Sequence, residues 1–134
     1  MKDYTFLMKE AEAARLMAYV PYSGFKVGAA LLCADGKIYR GCNIENASYT
    51  PTNCAERTAF FKAVSEGERK FEAIAVVGGK DGEPAPFCAP CGVCRQVMAE
   101  FCTDDFKVVL GTSADFKVYN FSEILPFAFG PKDL

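Results

Sequence analysis

The sequence predicts a three-layer α-β-α fold of the α/β class. A mixed five-stranded sheet forms the middle layer, and helices cover both of its faces. Helical and strand patterns follow one another in the order α-β-β-α-β-α-β-β, which is typical of a sheet covered by helices. The 134 residues are 51% hydrophobic and 24% charged, as expected for a globular domain with a full core. We therefore expect a single domain over residues 1–134.

The first elements are a helix and a hairpin. Residues 3–19 place apolar side chains among charged ones at helical spacing, and Pro21 stops the pattern. Two β-prone runs follow at residues 26–34 and 37–43. The pair Asp35-Gly36 between them suits a two-residue turn that needs positive φ, so the runs should form an antiparallel hairpin.

The middle of the chain predicts a second helix and a third strand. After a loop at residues 44–53, residues 54–65 have an apolar face at helical spacing. A β-prone run follows at residues 71–78. The Pro- and Gly-rich segment at residues 79–90 is predicted to be a loop.

The last third predicts one more helix and two strands. Residues 91–101 continue as a helix, and residues 107–110 and 116–119 are β-prone. Residues 121–134 should form a short turn followed by an aromatic tail. With this order of elements, the starts of the second and third helices should face one crevice.

Three cysteines carry the main chemical signal in a chain without histidine. Cys54 begins one predicted helix, and Cys91 and Cys94 form a P-C-x-x-C motif at the start of the next. A helix start favours thiolate over thiol. A structural zinc normally has four protein ligands, whereas a catalytic zinc has three and leaves one position to water or substrate. Three cysteines therefore indicate a catalytic zinc site.

Glu56 is the candidate general acid/base. It follows Cys54 by two residues, so it cannot easily share the inner shell of the metal but can take a proton from a zinc-bound water. A glutamate in the first turn of a helix is also favoured by the helix dipole alone. Its place beside a predicted ligand is what indicates catalysis.

Composition excludes several classes of function. Fifteen basic against seventeen acidic residues give a net charge of −2 with no cationic run, so nucleic acid is not an expected partner. Apolar stretches are too short to span a membrane, and a basic run leading into an apolar one is missing at the N-terminus. The seven cysteines are odd in number and have a metal-binding interpretation. We expect a soluble, cytoplasmic protein.

Three stretches together resemble the small, homotetrameric form of cytidine deaminase: residues 43–49 (NIENASY), 54–59 (CAERTA) and 90–96 (PCGVCRQ). The resemblance begins at residues 22–30 and extends to residues 125–131. Zinc nucleobase deaminases share a signature of His or Cys, a non-ligand Glu two residues later, and a distant P-C-x-x-C. The chain contains this signature in its Cys form.

The resemblance implies zinc bound by Cys54, Cys91 and Cys94, with Glu56 as proton shuttle. The implied reaction is hydrolytic conversion of cytidine or 2′-deoxycytidine to uridine or 2′-deoxyuridine with release of ammonia, a step of pyrimidine salvage. Three thiolates leave the zinc core with a net negative charge. Arg57 is similar to the family arginine that hydrogen-bonds the ligand sulfurs and compensates that charge.

The resemblance also implies the substrate contacts. Asn43 and Glu45 would hold a sugar hydroxyl, and Phe25 resembles the ring that packs on the pyrimidine. Family members share active sites between the subunits of a homotetramer. The other positions assigned to substrate binding in this way are Ala55 and, from neighbouring subunits, Ala47, Tyr49 and Phe129.

Two rival functions and one rival ligand remain open. A blasticidin-type antibiotic deaminase would share the zinc and Glu56 but lack a nucleoside-shaped pocket, whereas Asn43 with Glu45 favours a nucleoside. Cys88 forms a second C-x-x-C with Cys91. It could replace Cys94, or add a fourth ligand and close the site, as in a structural zinc or thiol-redox module.

Overall fold

The computed structural model describes residues 2–85 and 87–134, and in these residues no helix is long and apolar enough to cross a membrane. The strands are β1 (Phe25–Cys33), β2 (Ile38–Cys42), β3 (Phe71–Lys80), β4 (Glu83–Ala85), β5 (Lys107–Gly111) and β6 (Phe116–Asn120). The helices are α1 (Thr5–Arg15), α2 (Ala55–Ser65), α3 (Gly92–Phe101) and α4 (Phe121–Ile124), followed by a 3-10 turn at Pro131–Asp133.

The predicted mixed five-stranded sheet is confirmed, in the strand order β2-β1-β3-β5-β6, and the short strand β4 adds a sixth strand by pairing with β3. The β3 and β5 strands pair in parallel, and the other neighbours pair antiparallel. The β1–β2 hairpin forms as predicted, and Gly36 in its turn has φ +93°. Positive φ is the conformation for which the Asp-Gly pair is suited.

Alternate residues of the central strands face two separate cores. Ala29 and Leu31 of β1 pack into the core that α2 and α3 cover, whereas Ala30 and Leu32 pack into the core under α1. Side chains of a strand point alternately to its two faces, so a strand with helices on both sides reads as a continuous apolar run. The three α-β-α layers are therefore confirmed.

Aromatic packing fixes α2 against its core. Phe60 of α2 is fully buried, and its ring centroid lies 5.2 Å from that of Phe71 and 6.1 Å from that of Phe106. A third ring, Phe101 at the end of α3, stacks on Phe60 at 6.4 Å. Burying a phenylalanine side chain contributes about 1.5–3 kcal/mol. The cluster therefore fixes the helix that carries Glu56.

The prediction for the first helix was wrong at its end. Residues 16–18 leave the helix through hydrogen bonds from each N–H to the carbonyl three residues earlier. Tyr19 then forms a parallel bridge with Ile44. The helix therefore ends at Arg15 rather than continuing toward Pro21, because the backbone of residue 19 pairs with the loop after β2.

Two segments predicted to be irregular contain regular structure. Residues 79–90 include the end of β3 and the short strand β4, which pairs antiparallel with Gly78–Lys80. The predicted turn at residue 121 is the helix α4, at whose start the Asn120 N–H donates a hydrogen bond to Glu123 Oε1 at 2.8 Å. Pairing and capping partners, rather than local propensity, decide both segments.

Candidate active site

Two helix starts bring the three predicted zinc ligands together. Cys54 is the N-cap of α2, Cys91 is the N-cap of α3, and Cys94 lies in the first turn of α3. Their Sγ atoms all lie within 4.8 Å of one another, and Cys54 Sγ is 3.7 Å from Cys91 Sγ. Cys88, the rival ligand, does not belong to this group. Zinc–sulfur bonds of about 2.3 Å could be accommodated by small movements of these side chains.

Hydrogen bonds within the group already favour one thiolate. The pKa of Cys54 is lowered to about 5, chiefly because the Cys94 thiol donates a hydrogen bond to it and further because Arg57 does. The pKa of Cys94 is raised, because this thiol holds its proton in that hydrogen bond and is buried. A divalent cation would favour release of the remaining protons.

Arg57 supplies positive charge beside the sulfurs. Its Nη2 donates to Cys54 Sγ at 3.2 Å, and its guanidinium also reaches the Cys94 sulfur. Its Nε is buried and has no hydrogen-bond partner among the described residues. The donor set therefore consists of three sulfurs with one adjacent cation, as expected for a site that holds a divalent metal with excess thiolate charge.

Glu56 lies one residue from Arg57 and is almost completely buried, with 4% of its surface exposed. The pKa of its carboxyl is raised to about 7, mainly by burial and also by the negative charge of Cys54, while Arg57 opposes the shift. A carboxyl with a pKa near neutrality can both accept and donate a proton in one catalytic cycle.

Asn43 is held against the first residues of β1. Its Oδ1 accepts a hydrogen bond from the Val27 N–H at 2.9 Å, and its Nδ2 donates to the Phe25 carbonyl at 2.8 Å. The structure therefore brings the predicted residues Asn43 and Phe25 together.

Glu45 orders the loop that precedes β1. Its carboxylate accepts hydrogen bonds from the Tyr22 N–H at 3.0 Å, the Ser23 N–H at 3.1 Å and the Ser23 hydroxyl. Of these contacts, the Ser23 hydroxyl does most to lower the Glu45 pKa. Ser23 in turn accepts from the Phe25 N–H at 3.0 Å, which ties Glu45 to Phe25.

Comparison with known proteins decides the family. Residues 1–111 match the family described as "Cytidine and deoxycytidylate deaminase zinc-binding region". Cytidine deaminase from Halalkalibacterium halodurans is 58% identical over 133 residues, covering 98% of each chain. Its counterpart from Sporosarcina psychrophila is 53% identical and covers 98% of this chain and 95% of the relative. The chain belongs to the cytidine deaminase family.

Solved structures of the family agree with the fold described above. The crystal structure of cytidine deaminase from Burkholderia pseudomallei aligns with a TM-score of 0.86 at 50% identity, covering 96% of this chain and 100% of the other. The Mycobacterium tuberculosis structure aligns with a TM-score of 0.81 at 38% identity, covering 97% and 99%. The resemblance, the α/β fold and the zinc cofactor are thus confirmed, and the chain is an enzyme of a zinc-dependent hydrolase family.

Residues that the resemblance to cytidine deaminase assigns to shared sites lie on the surface. Ala47, Tyr49 and Phe129 are exposed, and Tyr49 lines an open cavity of about 240 Å³ beside Glu45. Ala55, by contrast, is completely buried at the start of α2. The roles of these four residues stay predictions.

A second group of side chains could also hold a metal, but it lies elsewhere. Cys33, at the end of β1, groups with Asp35 and Glu68. The Lys37 ammonium already pairs with Glu68 at 3.7 Å. Only the three-cysteine group has the spacing found in zinc deaminases.

Sequence reasoning missed Ser23 as a residue that supports the site. It stands inside the Y-S-G-F motif, and a serine two residues before a strand is a common turn residue. Its hydrogen bond to Glu45 spans 22 residues of chain, whereas the one from Phe25 is local. The motif was the available signal, but the partner could not be read from it.

Proposed function

We propose that the chain deaminates cytidine and 2′-deoxycytidine hydrolytically, yielding uridine or 2′-deoxyuridine and ammonia, as a step of pyrimidine salvage. One observation carries the proposal. A buried carboxyl whose pKa is about 7 stands two residues from Cys54, within a group of three cysteines suited to a catalytic metal.

The donor set fits zinc. Cys54, Cys91 and Cys94 would hold it and leave one coordination position open, and Arg57 would offset the excess thiolate charge. When bound, zinc supplies an activated water for attack on C4 of the pyrimidine.

Glu56 would move the protons of the reaction. It takes a proton from the attacking water and delivers one to ring N3, so that negative charge does not build up on the ring. It then takes the second proton, from the hydroxyl now on C4, and passes it to the amine, so that the C4–N bond breaks, the C4 carbonyl forms and ammonia leaves. Its pKa near 7 supports both directions of transfer at neutral pH, because neither protonation state is strongly favoured.

The substrate would lie along the start of β1. Phe25 would pack on the pyrimidine, Ala55 would line the base site, and Asn43 and Glu45 would bind ribose hydroxyls. Asn43 and Glu45 are already fixed by hydrogen bonds to the backbone of β1 and of the loop before it. Such fixed groups bind a substrate hydroxyl at a low cost in conformational entropy.

The active form would be a cytoplasmic homotetramer of this single domain, with Ala47, Tyr49 and Phe129 completing the site of a neighbouring subunit. The exposure of these three residues supports this arrangement. All seven cysteines lie within the described residues and are free, which supports a reducing compartment. The partners would be small nucleosides rather than nucleic acid, given the net charge of −2.

The direct test follows the loss of ultraviolet absorbance of cytidine, 2′-deoxycytidine and free cytosine on addition of purified protein, with a chelator control. We expect both nucleosides to react, cytosine to react poorly, and the chelator to abolish turnover.

Asn43→Ala and Glu45→Ala should lower nucleoside turnover and leave zinc content unchanged. Equal turnover of cytosine and cytidine would contradict the nucleoside pocket and favour the antibiotic deaminase. Full zinc occupancy in Cys94→Ala would contradict the ligand set.

A further inference from the structure

Cys88 is a thiol that the proposed chemistry does not use. It lies in the segment before α3, is partly buried against the core that α2 and α3 cover, and is not part of the three-cysteine group. A cysteine in such a place behaves as a small, polarizable apolar side chain. Its function must therefore come from where it packs.

Cys88 packs over Gly78 of β3, beside Phe25. A Cβ atom added to Gly78 would lie 2.6 Å from Cys88 Sγ and 3.1 Å from Cε1 of the Phe25 ring. Both side chains therefore occupy the space that the missing side chain at Gly78 leaves free. Gly78 itself pairs with Val27, two residues along β1 from Phe25.

Cys88 also lies near the catalytic groups. Its pKa is raised to about 11, chiefly by burial and further by the negative charges of Glu56 and Cys54. The thiol is therefore neutral at physiological pH and lies close enough to both groups to feel their charge. Cys88 therefore lies beside the Phe25 ring and near the reacting end of the site.

We propose that Cys88 is a specificity-determining residue that limits the size of a substituent at C5 of the pyrimidine. This inference rests on the proposed function. In that function C4 faces the zinc site, N3 faces Glu56, N1 carries the sugar and Phe25 covers a ring face. The C2 carbonyl and the C5–C6 edge remain. The carbonyl needs a hydrogen-bond donor, whereas the apolar C5–H suits an apolar wall. Cys88 lies beside the Phe25 ring and close enough to Glu56 and Cys54 to feel their charge.

The test compares kcat/KM for cytidine and 5-methylcytidine in the zinc-loaded, full-length enzyme. A methylene in an apolar pocket changes selectivity by about 10- to 200-fold. We expect the ratio for 5-methylcytidine over cytidine to rise about 10-fold in Cys88→Ala and to fall about 10-fold in Cys88→Leu. Cys88→Ser, which nearly keeps the volume, should leave the ratio near that of the wild type. Where 5-methylcytidine turnover is below detection, its inhibition constant against cytidine replaces kcat/KM.

Cys102→Ala is the matched control, because it removes a thiol packed against the same core outside the proposed site. It should leave the ratio unchanged, and zinc content and melting temperature are measured for every variant. A ratio that stays within twofold of wild type in both Cys88→Ala and Cys88→Leu would overturn the inference while cytidine turnover upholds the proposed function. If the wild type does not deaminate cytidine, the proposed function fails and the inference falls with it.

A compensating pair tests the contact over Gly78. Gly78→Ala should lower kcat/KM for cytidine, because the new methyl would collide with Cys88 Sγ. The loss should be several-fold smaller in the Cys88→Ala background, where that sulfur is absent. Additive losses would show that Cys88 does not occupy this space and would also overturn the inference.

Discussion

At the scale of single residues, Glu56 combines two properties that rarely occur together. Among the described residues it is the only charged side chain in the buried class. It also lies in the first turn of α2, where the helix dipole stabilises a carboxylate. The effect of burial is larger than that of the helix dipole, because the pKa of the Glu56 carboxyl is raised to about 7 rather than lowered. The residue is thereby poised for proton transfer at a cost in stability.

Glu56→Gln should retain zinc and fold but lose nearly all turnover. The carboxamide fills the same volume and cannot accept the proton of the attacking water. General acid/base groups contribute about 10²- to 10⁴-fold, and a residue used in several transfers should lie at or above the upper end. The measurement is kcat with cytidine alongside zinc content. Turnover near that of the wild type would assign the proton shuttle to another residue.

The cost of burying Glu56 should make the stability of the metal-free protein depend on pH. Burial raises its pKa from 4.5 to about 7. Between these values the folded chain keeps a proton that the unfolded chain releases, so the contribution of Glu56 to stability falls by roughly 3 kcal/mol as pH rises through this window. Glutamine does not titrate. In urea unfolding, the free energy of unfolding of metal-free Glu56→Gln should therefore rise relative to that of the metal-free wild type between pH 5 and pH 8. A constant difference would mean that water reaches the carboxyl.

Arg57→Ala should weaken zinc retention and shift the pH–rate profile to higher pH. The substitution removes the cation that donates to Cys54 Sγ at 3.2 Å, so excess thiolate charge makes activated water harder to ionise. Partners of this kind change metal affinity by about 10- to 100-fold. Arg69→Ala is the control, because within residues 2–85 and 87–134 Arg69 donates only to the Val64 and Glu68 carbonyls. If Arg57→Ala changed neither the pH–rate profile nor the zinc content, Arg57 would have only a structural role.

At this scale the sequence predicts what depends on local spacing. The grouping of Cys54 with Cys91 and Cys94 follows from two helix starts and a motif, and the structure brings the three sulfurs together. The contact between Cys88 and Gly78 could not be predicted in the same way. It depends on how the segment before α3 folds back over β3, which is a long-range effect.

At the scale of elements, two glycines let helices approach the sheet closely. A Cβ atom on Gly41 of β2 would lie 2.2 Å from the Ala55 carbonyl oxygen at the start of α2. One on Gly28 of β1 would lie 2.1 Å from the Ala11 carbonyl oxygen in α1. Both contacts are with backbone, which cannot move aside as a flexible side chain can. Each glycine therefore sets the position of a whole helix.

These two glycines provide a matched pair of substitutions. Gly41→Ala and Gly28→Ala should each destabilise the protein by about 1–3 kcal/mol or more, because both overpack a helix against the sheet. Only Gly41→Ala displaces α2, which begins next to Cys54 and carries Glu56. It should therefore also weaken zinc binding and lower kcat, whereas folded Gly28→Ala should retain both. Equal effects on zinc and kcat would show that the start of α2 is not positioned through Gly41.

Element boundaries were the part of the fold that sequence patterns predicted least well. The type and order of the main elements follow from periodicity, and these were confirmed. The strand β4 pairs with the adjacent Gly78–Lys80 across Asp81-Gly82, a local turn signal that the loop prediction overlooked. The end of α1 at Arg15 depends on backbone pairing with a distant segment, at Ile44. A local sequence pattern contains no information about such a partner. The predicted first helix therefore extended beyond the residue at which α1 ends.

At the scale of the whole molecule, exposed aromatic residues coincide with strained backbone. Tyr49 and Phe127 are the two non-glycine residues with positive φ in the described part of the chain, at 63° and 57°. Tyr49 is 77% exposed and Phe127 fully so. A strained conformation persists when surrounding structure holds it, and large exposed rings mark an interaction surface. Both residues lie in segments that the proposed function assigns to contacts between subunits.

The tail should complete the active site of a neighbour, so that activity depends on assembly. Phe129 is 58% exposed, although its carbonyl is held by Gln96 Nε2 at 2.8 Å. Mixing inactive Glu56→Gln chains with inactive Phe129→Ala chains, followed by subunit exchange, should restore activity. Random pairing would give about a quarter of sites an intact Glu56 and an intact neighbouring Phe129.

The matched control for this experiment mixes Glu56→Gln chains with chains that carry both substitutions, a mixture in which every site lacks Glu56. Native mass spectrometry verifies that exchange has occurred in both mixtures. Activity that returns only in the first mixture would require that a site draws Glu56 and Phe129 from different chains. Failure to regain activity after verified exchange, or a fully active monomer in sedimentation, would contradict the shared site. Neither result would alter the case for zinc at the three cysteines, because those ligands all belong to one chain.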